Sequence, residues 1–289
     1  MKIFNPLICI ALGITMWARP GITQSFQLRE KVVKMGADSV VVQVFTSQKR
    51  STEYCFVHVH ENEVASLEAG FRMLLKYGGS LITLRHSAPG QVNRNINFQL
   101  DGARFEFDPN RIFTANDSLL ATNISHQKVS ASSVNKAVNV VRQLSATIWK
   151  ELKDFQTIVA LHNNKNHPAS CERRGWFGRQ LVNESYNLTS YVLKNDQPTE
   201  SSLSAKAIFV NPSINNSDFF IVTQSKDFSA LQNLGMNVVL QNDNPVDDGS
   251  MSVYALSHQK RYINAEAKMG RVDYQFNMLV SLHSILAAN

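Results

Sequence analysis

In the stretch VHVHENEVAS, residues 57–66, His58-x-x-Glu61 and His60-x-x-Glu63 are overlapping frames of one spacing. That spacing lets an imidazole nitrogen and a carboxylate oxygen meet on one metal ion. Alone it is weak evidence, because a glutamate entering a helix N-terminus is favoured by the helix dipole without any metal. Position along the chain separates the two frames. A strand is expected over 53–60 and a helix from 64, so His60 ends the strand and Glu63 lies in the turn entering the helix. His58 falls further inside the strand. The 60/63 frame is therefore the one expected at the mouth of a sheet.

Three further groups fall at the ends of expected strands or hairpin arms. His162, in VALHNN, follows the apolar strand 157–161. It would complete a set of two histidines and one carboxylate, which leaves a fourth position open as hydrolytic metal sites do. Nitrogen donors with a carboxylate suit zinc better than magnesium or calcium, which prefer oxygen cages. His167 is a rival third ligand, set back in a loop before Pro168. Asp108-Pro109-Asn110-Arg111 directly follows a hairpin, with Arg104 on the same arm. Arginines beside an asparagine can clamp a substrate carboxylate and polarise a carbonyl. Glu266, in YINAEA, closes the last strand, where a carboxylate can take a proton from water and return it to a leaving amine.

The elements that must position these residues are legible from periodicity. Leu67, Phe71, Leu74 and Leu75 mark a helix over 64–77 that stops at Gly78-Gly79, and a strand follows at 80–85. NINFQL and ARFEFD alternate around Asp101-Gly102, which predicts a two-residue hairpin over 95–108. A long amphipathic helix is expected over 130–153. Strands are expected at 157–161, 207–210, 219–223, 238–240 and 262–265, with a helix at 228–234 and a closing helix through Leu279 and Leu282. Apolar strands separated by crossover helices, with one hairpin, imply a single α/β domain with a central mixed β-sheet flanked by helices. Ligands collect beyond the carboxyl ends of the strands in such sheets.

Composition agrees with a globular domain: of 289 residues 44% are hydrophobic and 18% charged, which excludes a disordered chain. Lys2 followed by an apolar run from Ile3 to Trp17 has the form of a secretory signal, too short to span a bilayer comfortably. The expected organisation is a signal peptide over 1–24 and one hydrolase domain over 25–289, secreted or periplasmic and without stable membrane insertion after cleavage. Loss of Lys2 and Arg19 would take the formal charge from +6 to +4. With no recognition helix or aromatic ladder among the dispersed cations, nucleic acid is not an expected partner. Cys55 and Cys171 would remain after cleavage. Because Cys55 lies inside an expected buried strand, a free thiol acting as a small hydrophobe is preferred over a disulfide.

The order His60-x-x-Glu63, Arg104, Asn110-Arg111, His162, Glu266 resembles the zinc carboxypeptidase superfamily. That group joins the metallocarboxypeptidases with the succinylglutamate desuccinylase and aspartoacylase proteins. The segment FEFDPNRIF is similar to the Asp-x-Asn-Arg-x-Phe signature of the latter, and the resemblance runs from about residue 53 to 275. It implies one zinc ion per chain held by His60, Glu63 and His162, and substrate contacts from Arg104, Asn110 and Arg111. Glu266 would be general base and then acid. The family's pocket tyrosine has two candidates, Tyr186 and Tyr191, both in a long loop after His162.

The implied reaction is metal-assisted hydrolysis of an amide bond next to a free carboxylate, with Arg104 helping to stabilise the oxyanion. An export signal points to a peptide, including a cell-wall peptide, as substrate. The alternatives are an N-acyl amino acid deacylase and a non-catalytic peptide-binding protein on the same fold. The oligomeric state is not legible.

Overall fold

Strand-forming runs alternate with helical ones along most of the chain, and a computed structural model shows how they assemble. It describes residues 26–48, 52–164, 171–175, 178–182, 188, 191 and 204–288. The expected signal segment lies outside them. The strands are β1 (Phe26–Met35), β2 (Asp38–Ser47), β3 (Tyr54–His58), β4 (Ser80–Arg85), β5 (Ile96–Leu100), β6 (Ala103–Phe107) and β7 (Ile124–His126). They continue with β8 (Thr157–Asn164), β9 (Cys171–Gly175), β10 (Gly178–Val182), β11 (Ala205–Phe209), β12 (Phe219–Val222), β13 (Val238–Gln241) and β14 (Arg261–Lys268). The helices are α1 (Val64–Tyr77), α2 (Asp117–Thr122), α3 (Ala131–Leu152), α4 (Ser225–Asn233), α5 (Met251–Ser257) and α6 (Val272–Ala287).

Nine strands form one mixed sheet in the order β1-β2-β4-β3-β8-β14-β12-β13-β11. Its centre, β4-β3-β8-β14, is parallel throughout. Every residue of β3 and β8 is buried, as expected for strands covered by helices on both faces. On one face Ile158 and Ala160 pack with Val138, Val141 and Leu144 of α3. On the other, Val159 and Leu161 pack with Ala69 and Met73 of α1 and Met278, Leu279 and Leu282 of α6. Gly70 brings α1 close to β8, since a Cβ there would stand 2.7 Å from Leu161 Cδ1. This closeness matters because the N-cap of α1 is a site residue, Glu63.

The expected fold class and most element positions agree with the structure. The Asp101-Gly102 turn has both residues in the left-handed region, φ 51° and 78°, which is the geometry of a tight two-residue hairpin. Two differences bear on the site. Strand β3 stops at His58, so His60 sits in the turn beyond it, whereas β8 runs on through His162, Asn163 and Asn164. Those polar residues stay in the sheet because Glu266, Ala267 and Lys268 of β14 pair with them in parallel register. The β1–β2 hairpin at the sheet edge was not among the expected elements. Its second strand alternates, burying Val40, Val42 and Val44 in the α3 cluster, and Glu151 of α3 pairs with Arg29 and Lys31 of the first.

Cys55 is a free, buried thiol; the side chain of Cys171 lies outside the described ones. Among the described residues no helix is long and apolar enough to cross a membrane.

Candidate metal centre and its surroundings

The parallel strands β3 and β8 run side by side, β8 extending past the end of β3, and the turn after β3 folds back toward β8. The His60 carbonyl accepts from the Glu63 backbone N–H at 2.9 Å, and the Glu63 carbonyl accepts from Ser66 N and Ser66 Oγ. His58 Nε2 also fixes the same carbonyl, at 3.0 Å, while His58 Nδ1 bonds Thr83 Oγ1, also at 3.0 Å. His58 is thus a buried prop under the turn. The two frames separate completely, because Glu61 points away and accepts from Ser87 N at 2.9 Å. The Glu63 side chain makes no helix-capping bond and turns inward instead.

His60, Glu63 and His162 come together there, and each is buried. His60 Nδ1 lies 2.9 Å from Glu63 Oε1, His162 Nδ1 lies 3.1 Å from Glu63 Oε2, and the two Nδ1 atoms are 3.1 Å apart. Atoms bonded tetrahedrally to one zinc at 2.0–2.1 Å would stand about 3.3 Å from each other. The donor set therefore fits a single divalent cation with little adjustment. His60 Nε2 donates to Asp108 Oδ1 at 2.7 Å, which leaves Nδ1 as the lone-pair nitrogen facing the other two donors.

The charges respond to this crowding. Burial opposes a charge on His60, but the Glu63 carboxylate and the Asp108 hydrogen bond outweigh it and raise its pKa to about 9. Burial would raise Glu63 too, yet the adjacent His60 and His162 hold it well below the usual carboxylate range. Asp108 is likewise held low by His60 and Arg94 against its burial. For His58 burial dominates and lowers the pKa to about 4, so this ring is neutral at ordinary pH.

Glu266 is the register partner of His162, so both side chains leave the same face of the sheet. Asn264 Nδ2 donates to its Oε1 at 3.0 Å and Asn164 Nδ2 to its Oε2 at 3.2 Å. Burial, the largest influence, raises its pKa above the ordinary value. Such a carboxylate is oriented and ready to accept a proton.

The arginines divide differently from the sequence expectation. Arg104 is exposed on β6, opposite in parity to the buried Phe105, and it donates to Asn97 Oδ1 at 3.0 Å from Nη2. Arg94, in the loop before β5, reaches the site instead: Nη1 lies 2.5 Å from Glu63 Oε1 and Nη2 3.4 Å from Asp108 Oδ2. Nothing in the local pattern QVNRN marked it. Asn110 N–H donates to Asp108 Oδ1 at 2.8 Å, and Arg111 pairs with Asp248. The 247–250 turn supports that pair, with Gly249 O accepting from Phe113 N. Tyr191 packs on Phe219, the neighbour of Glu266 on β12, and its hydroxyl feels the charges of Glu266, Arg111 and Asp248. Tyr186 and His167 lie outside the described residues.

No family model matches the chain, and no curated protein does. Solved structures with a similar chain course include an aspartoacylase family protein from Mesorhizobium loti, 17% identical at a TM-score of 0.41, over 90% of this chain and 67% of that one. A candidate metallopeptidase from Shewanella amazonensis is 13% identical at 0.37, over 90% of this chain and 85% of that one. A tomato leucine aminopeptidase mutant is 7% identical at 0.36, over 97% of this chain and 57% of that one. At these identities and TM-scores the overlap by itself assigns no reaction.

Proposed function

We propose that the protein is a zinc-dependent hydrolase of an amide bond next to a free carboxylate, acting on a peptide or a small carboxylate-bearing amide. The observation that carries this reading is the buried triangle of His60 Nδ1, Glu63 and His162 Nδ1, with Glu266 beside it. Zinc held by those three residues supplies Lewis acidity toward a carbonyl and toward water. Glu266 accepts the proton of the attacking water at a carboxylate oxygen and delivers it to the departing amine nitrogen. Its two asparagine donors keep the carboxylate aimed while the proton is carried. Arg94, next to Glu63 and Asp108, takes the part expected of Arg104 and offers its guanidinium to the developing oxyanion. Asn110 and Arg111 orient the substrate carboxylate, which would exchange places with Asp248 on the Arg111 guanidinium. Tyr191 closes the same side of the site.

The apolar segment 3–17 supports export, to a secreted or periplasmic location, and hence a peptide rather than a cytosolic N-acyl amino acid as substrate. The test is a panel of peptides and N-acyl amino acids with free carboxyl termini, assayed with zinc-loaded wild type and Glu266→Gln. The reading expects hydrolysis of a carboxylate-bearing amide by wild type and its loss in Glu266→Gln with zinc retained. Zinc binding without hydrolysis of any member would favour a peptide-binding protein.

A further inference from the structure

Beneath the metal triangle, two amides are buried where apolar residues would ordinarily pack. Gln275 shares the core-facing stripe of α6 with Met278, Leu279 and Leu282 and is 0% exposed. An amide in such a place costs free energy unless each of its polar atoms is bonded. Gln275 Nε2 donates to the carbonyls of His162 at 3.0 Å and Ala265 at 3.2 Å, and Oε1 accepts from Asn163 Nδ2 at 2.8 Å. Asn163 sits between His162 and Asn164 on β8, so its side chain leaves the opposite face, toward α1 and α6. Its Nδ2 also reaches the Ala267 carbonyl at 3.3 Å, and its Oδ1 accepts from Ser66 N at 2.8 Å. Its backbone N–H donates to Glu63 Oε2 at 2.9 Å.

We propose that Asn163 and Gln275 are positioning residues of the metal centre. The pair grips His162 by its carbonyl. Through Asn163 it also holds the Glu63 carboxylate and the first turn of α1. Two of the three metal donors, which come from segments a hundred residues apart, are thereby set by one bonded unit. A pair filling space alone would be better made of leucine and methionine. These amides bond strand ends, a metal donor's own carbonyl and the turn that carries another donor. The inference rests on the metal site proposed above.

The experiment compares zinc affinity, by chelator competition, and thermal unfolding of the metal-stripped protein in wild type, Gln275→Leu, Gln275→Glu and Leu279→Ala. Leu279 lies on the same helix face without touching the site, so its truncation reports core damage alone. Expected is a fall in zinc affinity of roughly 10- to 100-fold for both Gln275 variants. Leu279→Ala should lower the unfolding temperature while keeping zinc affinity within about threefold of wild type. Unchanged affinity in the Gln275 variants, or an equal loss in Leu279→Ala, overturns the proposal, as would failure of both Gln275 variants to fold. A wild-type chain that binds no zinc would remove the functional reading itself, which is a different result from variants that bind as wild type does.

Discussion

The Nδ1 atoms of His60 and His162 face each other at 3.1 Å, with one Glu63 oxygen within 3.1 Å of each. Two imidazole lone pairs directed at the same point repel unless a proton or a cation stands between them. In the metal-stripped protein burial opposes a charge on His60, but the Glu63 carboxylate and the Asp108 hydrogen bond outweigh it and favour the protonated ring.

Proton and metal therefore compete. With His60 raised to about 9, zinc must displace a proton throughout the neutral range. Apparent zinc affinity should rise by up to about tenfold per pH unit until pH 9 and then level off. Asp108→Asn removes the anion bonded to Nε2, so the plateau should begin at lower pH while binding weakens about 10-fold overall. Competition titrations between pH 6 and 10 read both effects, and a flat profile for wild type would contradict His60 as a ligand.

The arginine assignments differ by position, not chemistry. Arg94→Ala removes a guanidinium from beside Glu63 and should lower kcat about 100-fold or more, the size seen when an oxyanion donor is lost. Arg104→Ala removes an exposed contact to Asn97 and should leave kcat within about twofold. Steady-state kinetics on a carboxylate-bearing amide separate the two, and the reverse order would restore the role expected from sequence.

Acid stability isolates His58. Its folded pKa of about 4 lies below the ordinary 6.5, so it stabilises the fold fully above pH 6.5 and loses that contribution as pH falls through 4. A shift of this size corresponds to roughly 3 kcal/mol. Urea unfolding of the metal-stripped protein at pH 7 and 4.5 should show a steeper acid loss for wild type than for the non-titrating His58→Gln. Equal pH slopes would mean that His58 is not held neutral.

Gly249 has φ +77°, and a Cβ there would stand 2.6 Å from the Arg111 carbonyl oxygen. Gly249→Ala should cost about 1–3 kcal/mol of stability. It should also raise KM for carboxylate-bearing substrates, because the Asp247–Ser250 turn carries the partner of Arg111. Thermal unfolding beside KM checks the coupling, and a stability loss without a KM change would detach Arg111 from substrate binding.

Strand ends read from the sequence grouped candidate residues that the structure brings together. His60, His162 and Glu266 each follow an apolar run in the sequence, and the rule that ligands gather at carboxyl ends grouped them with Glu63, although β8 and β14 continue past His162 and Glu266 in the structure. Arg94 was hidden because a polar loop has no period; only the folded loop shows that it returns to Glu63. Arg104 was legible in retrospect: on β6 the alternation that buries Phe105 and Phe107 turns it away. Asn163 and Gln275 look like surface amides in a one-dimensional reading, since their burial depends on partners a hundred residues off. The β1–β2 hairpin has alternating valines, but it lies at the sheet edge and ahead of the segment where the motifs begin.

The most direct measurement of the central claim is the zinc content of purified protein beside His60→Ala and His58→Ala. The account predicts about one zinc per chain in wild type. It predicts loss in His60→Ala and retention, with weakened affinity, in His58→Ala, whose ring supports the turn without facing the ion. Zinc lost only with His58, or no zinc in wild type even after reconstitution, would contradict it.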